Sequence, residues 1–344
     1  MGLPDASDSR LAALTRWVFD DLGFAGGRIE PASADASFRR YFRVTREGDT
    51  YIAMDAPPEK EGLGPFLGVG RALLGMGLNV PVVLAKDAER GFLLLSDLGS
   101  RHYLDELGAH GAADRLYSDA LGALCRMQTA GLEPARDLPH YGRALLMQEM
   151  ELMPEWFLRG HLRLQLSAAE RGLLDGLFET LVQNALAQPA VFVHRDYHSR
   201  NLLVTEGNNP GILDFQDAVC GAVTYDLVSL LKDCYIEWPR PRVLAWALQY
   251  RERLLAEGFP LGLSEAQFIR AFDLMGLQRH IKVLGIFSRL YYRDGKSRYL
   301  EDLPRVLRYT RDAAEDHAET AQFADFIARR IEPAFLDAQG RAPA

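Results

Sequence analysis

The spacing of hydrophobic positions changes along the chain, from alternation in much of the first third to helical periods in the remainder. The first segment is helical, because Leu11, Leu14 and Val18 recur at helical spacing before Gly23, which predicts a helix over 9–22. Short runs rich in β-branched and aromatic residues follow, separated by turn residues. They predict strands over 27–33, 38–45, 50–55, 80–86 and 91–96, with one helix over 65–76.

Beyond residue 98 the pattern is mostly helical. Apolar residues at helical spacing predict helices over 101–130, 143–159, 167–187, 224–235, 241–257, 264–292 and 304–330. A strand at 191–193 and a strand pair at 201–205 and 211–215 interrupt them. We therefore predict an α+β fold with a strand-rich N-terminal domain, 1–98, and a helical C-terminal domain, 99–344. Small ligands usually bind in the cleft between such parts.

Composition narrows the function classes. The 344 residues hold 39 Lys and Arg against 47 Asp and Glu, a formal net charge of −8. This balance, without a Lys/Arg-rich run, argues against a nucleic-acid partner. Cys125, Cys220 and Cys234 form no C-x-x-C pair, which is typical of a reducing cytoplasm. No secretory signal or membrane-spanning run is present, so we expect a cytoplasmic protein without a membrane partner. We also expect a monomer.

The candidate chemistry lies in VFVHRDYHSRNLLV and the following ILDFQDA. Asp196 precedes Asn201 by five residues and Asp214 by eighteen. Phosphoryl transfer needs a base beside the attacking hydroxyl and oxygen ligands for the Mg²⁺ that bridges the nucleotide phosphates. Asp196 is the candidate base, and Asn201 and Asp214 are the candidate metal ligands. The spacing matches the kinase catalytic loop, and Asp214-Phe215-Gln216 stands where Asp-Phe-Gly would stand.

Seven stretches together resemble the aminoglycoside phosphotransferase/choline-kinase-like family. They are SADASFRRYFRV, YIAMDAPPE, GLNVPVVLA, LLLSDLG, VFVHRDYHSRNLL, GILDFQDAVCGAVTYDLVSLLKD and LQRHIKVLGIFSRLYYRDGK. Within that family they are most similar to the bacterial anomeric amino-sugar kinases, which act on N-acetylmuramate and N-acetylglucosamine in cell-wall (peptidoglycan) recycling.

The resemblance implies a protein-kinase-like fold with a nucleotide-binding N-terminal lobe and a catalytic, acceptor-binding C-terminal lobe. It implies transfer of phosphate from ATP, with Mg²⁺, to the 1-hydroxyl of the sugar. It also implies that Asp196 is the base, that Asn201 and Asp214 hold magnesium, and that Ser96, Asp97 and Leu98 form the hinge that receives adenine through its backbone. Asp226 either caps the catalytic loop or begins a helix as an N-terminal acid, and we favour the helix start.

The chain departs from the kinase pattern where the phosphates would bind. No G-x-G-x-x-G lies between the first two strands, and the strand TYIAMD carries no lysine. Backbone N–H groups, the Ser37 hydroxyl and an arginine could hold the phosphates instead. Arg40, Arg43 and Lys60 are the candidate replacements for the lysine, although strand arginines that simply face solvent are an equal alternative.

The acceptor side is predicted from a helical wheel. Arg279, Lys282, Arg289 and Arg293 share one stripe of about 80° on a helix over 277–293. Such a stripe is usually a solvated face, but one or two of its cations could bind the lactyl carboxylate of N-acetylmuramate or phosphate oxygens. A polycationic aminoglycoside would prefer an acidic helix here.

The end of the predicted 224–235 helix and the residues just after it supply three more candidates for acceptor binding. Tyr235 and Trp238 could stack on a sugar ring and Glu237 could bind a hydroxyl, although such aromatics more often belong to the core.

Three alternatives stay open. The same chemistry could serve another acceptor, such as an aminoglycoside, choline, homoserine or a ketosamine. A pseudokinase would bind nucleotide without turnover. A metal-dependent hydrolase would use His194, Asp196 and His198 as ligands.

Overall fold

The computed structural model describes residues 8–33, 39–108 and 112–340. The strands are β1 Arg28–Ser33, β2 Arg40–Arg46, β3 Asp49–Asp55, β4 Val83–Asp87, β5 Phe92–Ser96, β6 Ala190–Val193, β7 Leu202–Leu203, β8 Gly211–Ile212 and β9 Val219–Ala222. The α-helices are α1 Ser9–Arg16, α2 Gly64–Gly75, α3 Tyr103–Leu107, α4 Ala113–Ala130, α5 Arg143–Met150, α6 Ala168–Leu186, α7 Tyr225–Leu231, α8 Arg240–Ala256, α9 Glu265–Asp294, α10 Leu303–Glu315, α11 Ala321–Phe326 and α12 Glu332–Gln339.

Short helical segments of other types extend or connect these helices. The 3-10 segments are Pro134–Asp137, Ser297–Asp302 and Ala318–Thr320, and the π-helical segments are Trp17–Asp21, Met153–His161 and Ile327–Ile331. Within the described ranges, no helix combines the length and the apolarity that a membrane-spanning segment requires.

The chain packs as two units. One, the sheet unit, runs to His102 and also takes in Leu202–Asp217; the other, the helical unit, comprises Tyr103–Asn201 and the chain from Ala218 onward. The division at residue 98 stays a prediction about domains. The packing units differ from it because β7 and β8 belong to the sheet unit: Ile212 N–H donates to the Asn79 carbonyl at 2.8 Å.

The sheet unit contains an antiparallel sheet in the order β1-β2-β3-β5-β4. Alternate residues point to opposite faces. One face packs Phe42, Val44 and Ala53 against Leu14 and Trp17 of the first helical segment. Tyr41 and Arg43 therefore point to the opposite face. This alternation decides which strand residues can share a binding site.

The helical unit is built around α9, a helix of 30 residues. A capping box between Ser264 and Gln267 begins it, and Gly295 ends it in the left-handed conformation (φ 69°). It packs against α6, α7, α10 and the π-helical segment 153–161. The approach to that segment is so close that a Cβ on Gly285 would lie 2.3 Å from the Leu152 carbonyl carbon.

The predicted α+β class is confirmed by the sheet and the large helical part. The predicted helices 143–159 and 304–330 are each interrupted, the first between Met150 and Met153 and the second after Glu315. The predicted strands 201–205 and 211–215 shrink to two residues each. The second cannot extend to 215, because Asp214 has a positive φ of 60° that a strand does not allow. The sequence reading missed β9, whose Val-Cys-Gly-Ala has little strand character until it pairs with β6.

Candidate active site

The loop after β6 carries Asp196 and Asn201 in the helical unit. Strand β6 pairs with β9 and delivers the chain to His194, and Arg195 then takes a positive φ of 78°. A non-glycine residue in this region is uncommon and persists where the surroundings hold it in place. The loop is therefore a strained turn whose stability depends on its partners.

Asp226 on α7 is the first of these partners. Its carboxylate accepts hydrogen bonds from the backbone N–H groups of His194 (2.6 Å) and Arg195 (3.0 Å). Burial raises the pKa of Asp226 to about 7, against the lowering effect of those two hydrogen bonds. The expectation that Asp226 only begins a helix was wrong, since the same carboxylate caps the loop.

A second set of contacts fixes the far side of the loop. The hydroxyl and the backbone N–H of Ser199 both donate to the Asp233 carboxylate, at 2.5 and 2.9 Å. The Asn201 side-chain Nδ2 donates to the Asp196 carbonyl at 3.0 Å. Because the amide nitrogen faces the loop, the amide oxygen of Asn201 is the atom that could ligate a cation. The structure thus brings Asp196 and Asn201 together.

The Asp196 carboxyl lies among cations. Burial alone would raise its pKa, but the positive charges of Arg279 and Lys282 lower it below its ordinary value, with smaller effects of His198 and Arg195. Asp196 is therefore ionised at neutral pH and can accept a proton from a hydroxyl. A base held at the end of a capped loop is what phosphoryl transfer requires.

The predicted acceptor cations Arg279 and Lys282 are buried, with 4% and 5% of their surface exposed. Arg279 donates to the Arg195 carbonyl at 3.1 Å and to Tyr225 Oη at 3.2 Å. Lys282 Nζ lies 3.0 Å from Glu149 Oε1 and also donates to Tyr225 Oη. Arg279 thus contacts the loop that carries Asp196, whereas Lys282 contacts Glu149 and Tyr225. Arg289 is partly exposed.

Glu149 on α5 is a second anion beside these cations. It pairs with Arg195 at 2.5 Å, with Lys282, and with the hydroxyl of Tyr141. Burial would raise the pKa of Glu149, but Lys282 and Arg195 lower it. Sequence reasoning missed Glu149, since one glutamate on a predicted helix carries no signal of its partners.

The other predicted acceptor residues also have protein partners. Glu237 pairs with Arg308 at 2.6 Å, and Trp238 Nε1 donates to Tyr117 Oη at 2.8 Å. Tyr235 receives the guanidinium of Arg200 on its ring, 3.6 Å from the ring centroid.

Asp214 and the hinge lie in the sheet unit. Asp214 has a positive φ of 60°, and its Oδ1 accepts from Gln216 Nε2 at 2.8 Å. The next residue, Phe215, is buried against Phe66 of α2, with the ring centroids 4.9 Å apart. Gly70 makes room for that ring, since an added Cβ would lie 3.2 Å from it. The packing of Phe215 on Phe66 thereby fixes the backbone position of the neighbouring Asp214.

Arg43 supports the hinge. Its guanidinium binds the Asp97 carboxylate at 2.6 and 3.2 Å and the Gly99 carbonyl at 3.0 Å. Burial would raise the pKa of Asp97, but the hydrogen bond from Arg43 and those from Gly99 and Thr50 lower it. Ser96 Oγ accepts from the Val82 N–H at 2.8 Å, and Leu98 is partly exposed. The side chains of Ser96 and Asp97 are thus engaged within the protein.

Arg40 lies on the other face of the sheet, with Phe42 and Val44. It binds the buried Asp55 at 2.6 and 3.1 Å and also Asp8. These contacts argue against Arg40 as a phosphate ligand. Lys60 is exposed, and Ser37 lies outside the described residues.

Arg39 was missed by the sequence reading. It directly precedes β2, and extending the alternation of that strand back by one residue places it with Tyr41 and Arg43. Its guanidinium lies 2.5 Å from the Glu61 carboxylate. Both side chains are largely buried, with 9% and 18% of their surface exposed. The sequence did hold a signal for Arg39. The apolar residues Phe42 and Val44 assign the even positions of this strand to the core, which leaves the odd positions on the opposite face.

A transition-metal centre finds no support. Among residues 8–33, 39–108 and 112–340, no group of three or more His, Cys, Asp or Glu side chains is arranged to hold a metal ion. His194 Nδ1 instead accepts from the Asp196 N–H at 3.3 Å. The metal-hydrolase alternative therefore has no ligand set in the part of the chain that the structure describes.

Comparison with known proteins identifies relatives across nearly the whole chain. Residues 28–263 match the model of the phosphotransferase enzyme family. The N-acetylmuramate/N-acetylglucosamine kinase of Pseudomonas aeruginosa is 48% identical over 333 residues, covering 94% of this chain and 97% of the relative. The kinase of the same name from Pseudomonas putida is 43% identical over 331 residues, covering 93% and 96%.

Among solved structures, the GDP complex of wild-type aminoglycoside 2'-phosphotransferase-IIIa is similar with a TM-score of 0.62. It covers 90% of this chain and all of that chain at 17% identity. At this identity the likeness establishes the fold.

Proposed function

Because this chain belongs to the phosphotransferase enzyme family, we propose that it is a kinase that phosphorylates N-acetylmuramate and N-acetylglucosamine with ATP. The observation that carries the proposal is 48% identity, over 94% of the chain, to a kinase named for these two sugars. The finer step, transfer to the anomeric 1-hydroxyl to give the sugar 1-phosphate, is part of the same proposal. We place the reaction in the cytoplasm, with the enzyme as a monomer.

In the proposed reaction Asp196 is the base. The sugar hydroxyl oxygen attacks the γ-phosphorus, its proton passes to the Asp196 carboxylate, and the bond from phosphorus to the β–γ bridging oxygen breaks to release ADP. The low pKa of Asp196 keeps the carboxylate ionised before the attack. The hydrogen bonds from His194 and Arg195 to Asp226 fix the backbone that carries it.

Asn201 and Asp214 supply oxygen atoms of the kind that Mg²⁺ prefers. The side-chain amide of Asn201 is turned with its nitrogen toward the Asp196 carbonyl, and Asp214 is held beside the anchored Phe215. When bound, Mg²⁺ neutralises charge on the nucleotide phosphates. Asn201 and Asp214 would hold it.

The missing strand lysine needs a substitute, and we infer that Arg39 provides it. In protein kinases the lysine forms an ion pair with a glutamate, and both must be in place for catalysis. Arg39 and Glu61 form such a pair on the sheet face that Arg43 shares. A guanidinium can bind one carboxylate and still donate to phosphate oxygens, because it carries five N–H donors.

The test is an ADP-release assay with ATP and a panel of acceptors: N-acetylmuramate, N-acetylglucosamine, kanamycin, choline and homoserine. The proposal predicts turnover with the two amino sugars and a phosphorus NMR signal of a sugar 1-phosphate. ATP binding without ADP formation from either sugar would favour the pseudokinase alternative. Preferential turnover of another acceptor would assign the same chemistry to a different substrate.

A further inference from the structure

The cationic stripe of α9 is divided between buried and open positions. Arg279 and Lys282 are buried and bound to Arg195, Tyr225 and Glu149. Farther along the stripe, Ile286 and Arg289 are partly exposed. Arg289 is seven positions after Lys282, which is about 10 Å along the helix axis. The stripe is therefore buried where Arg279 contacts the loop that carries Asp196, and it becomes partly exposed toward Arg289.

Arg289 differs from the other cations of the stripe in its contacts. Within the described ranges no hydrogen bond or ion pair engages its guanidinium, and its Nε, like that of Arg279, is buried without a hydrogen-bond partner. Arg279 and Lys282 have the partners given above, and Arg293 binds Asp294 at 2.8 Å. A partly buried guanidinium without an anion is unusual, since buried charge is normally paired.

The electrostatics around Arg289 favour an added anion. Burial and the charge of Arg293 lower the pKa of Arg289, while Asp294 and Glu155 act in the opposite direction. Neither acid lies within ion-pair distance of Arg289 in the described residues. An anion bound at the guanidinium would therefore give a direct partner to a charge that Asp294 and Glu155 offset only from a longer distance.

Two walls flank the stripe on α9. On one side Gly285 touches the Leu152 backbone at the start of the π-helical segment 153–161. On the other side Phe287 stacks on Tyr235, whose ring also carries Arg200 of the catalytic loop. The helical period places Arg289 at an angle between Gly285 and Phe287, about two turns beyond Lys282. This position suits the outer end of an acceptor whose reacting end lies at Asp196.

We propose that Arg289 binds the lactyl carboxylate of N-acetylmuramate and so determines how this enzyme ranks the acidic sugar against the neutral one. The inference rests on the proposed function. N-acetylglucosamine lacks the lactyl group and leaves Arg289 without an anion. A planar guanidinium donates two parallel hydrogen bonds to a carboxylate, which a lysine does not reproduce.

The experiment compares both sugars with the same enzyme preparations. In Arg289→Ala, the KM for N-acetylmuramate should rise about 10- to 100-fold, the range expected for losing a charge-assisted hydrogen bond. The KM and kcat for N-acetylglucosamine should stay within about twofold. Arg289→Lys should fall between Ala and wild type. Arg329→Ala, which removes an exposed arginine paired with Asp325 away from the stripe, is the matched control and should change neither sugar.

The two sugars keep the outcomes separate. Equal loss with both sugars in Arg289→Ala, or no loss with either, would overturn the role of Arg289. Wild-type enzyme that phosphorylates neither sugar would contradict the proposed function itself, and with it this inference. Retained N-acetylglucosamine turnover shows that the variant is folded, so a selective loss with N-acetylmuramate supports the assignment.

Discussion

The guanidinium of Arg279 donates a hydrogen bond of 3.1 Å to the backbone carbonyl of Arg195, the residue immediately before Asp196, the proposed base. Arg195 carries the positive φ of the loop, and Asp226 holds its N–H. The peptide groups on both sides of this strained residue are therefore tied to helices. The contact also explains why a cation that the sequence suggested for substrate binding is buried.

Arg279→Gln should lower kcat about 10- to 100-fold, because a misplacement of the base by about 1 Å has effects of that size. The affinity for ADP, measured by calorimetry, should stay within about twofold, since the contacts of Arg279 lie at the loop and Tyr225. Arg279→Lys keeps the charge and should recover part of kcat. A kcat near wild type in Arg279→Gln would show that the loop does not need this contact.

Arg39→Ala should raise the KM for ATP about 10- to 100-fold, because it removes a charged donor to the phosphates. Binding of adenosine, which has no phosphate, should be unchanged in calorimetry. The matched control is Lys86→Ala, an exposed cation on strand β4 of the same sheet. If ATP and adenosine weaken together, the ion pair with Glu61 only supports the local structure.

Gly285→Ala should destabilise the protein by about 1–3 kcal/mol or more, because its Cβ would overlap the Leu152 backbone. Gly172 on α6 is the control, since an added Cβ there meets no atom within 4 Å. Gly172→Ala should stabilise the helix by about 0.5–1 kcal/mol. Urea unfolding measures both changes, and equal effects of the two substitutions would refute the close approach of α9.

Asp273 gives a pH dependence of stability. It is fully buried and binds Arg240 at 2.9 Å and Lys232 at 2.7 Å. Burial would raise its pKa, but the hydrogen bond from Arg240 and the charge of Lys232 lower it to about 2. A carboxyl with a depressed folded-state pKa contributes stability above its unfolded pKa, near 4, and loses it as the pH falls toward 2.

Asp273→Asn should therefore cost about 3 kcal/mol of unfolding free energy at pH 7, since it leaves the buried Lys232 without its anion. The difference from wild type should shrink between pH 4.5 and pH 3 in urea unfolding. Asp325→Asn removes the exposed partner of Arg329 and should have little effect at either pH. A difference that stays constant with pH would contradict the low pKa of Asp273.

The parts of the fold that follow from local pattern were predictable. The strands of the sheet, the strand before the catalytic loop and the long helix α9 all show their period in the sequence, and the observed ends differ by a few residues. Asp196 and Asn201 were predictable because their spacing within one loop fixes their proximity, and the structure joins them by a hydrogen bond.

Residues whose role depends on distant partners were not predictable. Lys282 was assigned to the acceptor stripe by its angle on the helix, but its burial results from Glu149, 133 positions earlier in the chain. Arg40 was chosen over Arg39 as the candidate phosphate ligand. The core positions Phe42 and Val44 already show that even-numbered residues of this strand face the core, which places Arg40 on that side of the sheet and Arg39 on the other. The period of a helix or strand shows which residues share a face, but only the tertiary structure shows which residues pack on that face.

The most direct test is phosphate transfer by wild type and Asp196→Asn, each incubated with ATP, Mg²⁺ and N-acetylmuramate while ADP release is followed. Asparagine is nearly isosteric but cannot accept the proton, so kcat should fall about 10²- to 10⁴-fold while ADP affinity stays within about twofold. A variant that still forms the sugar phosphate at a rate near that of wild type would contradict Asp196 as the base.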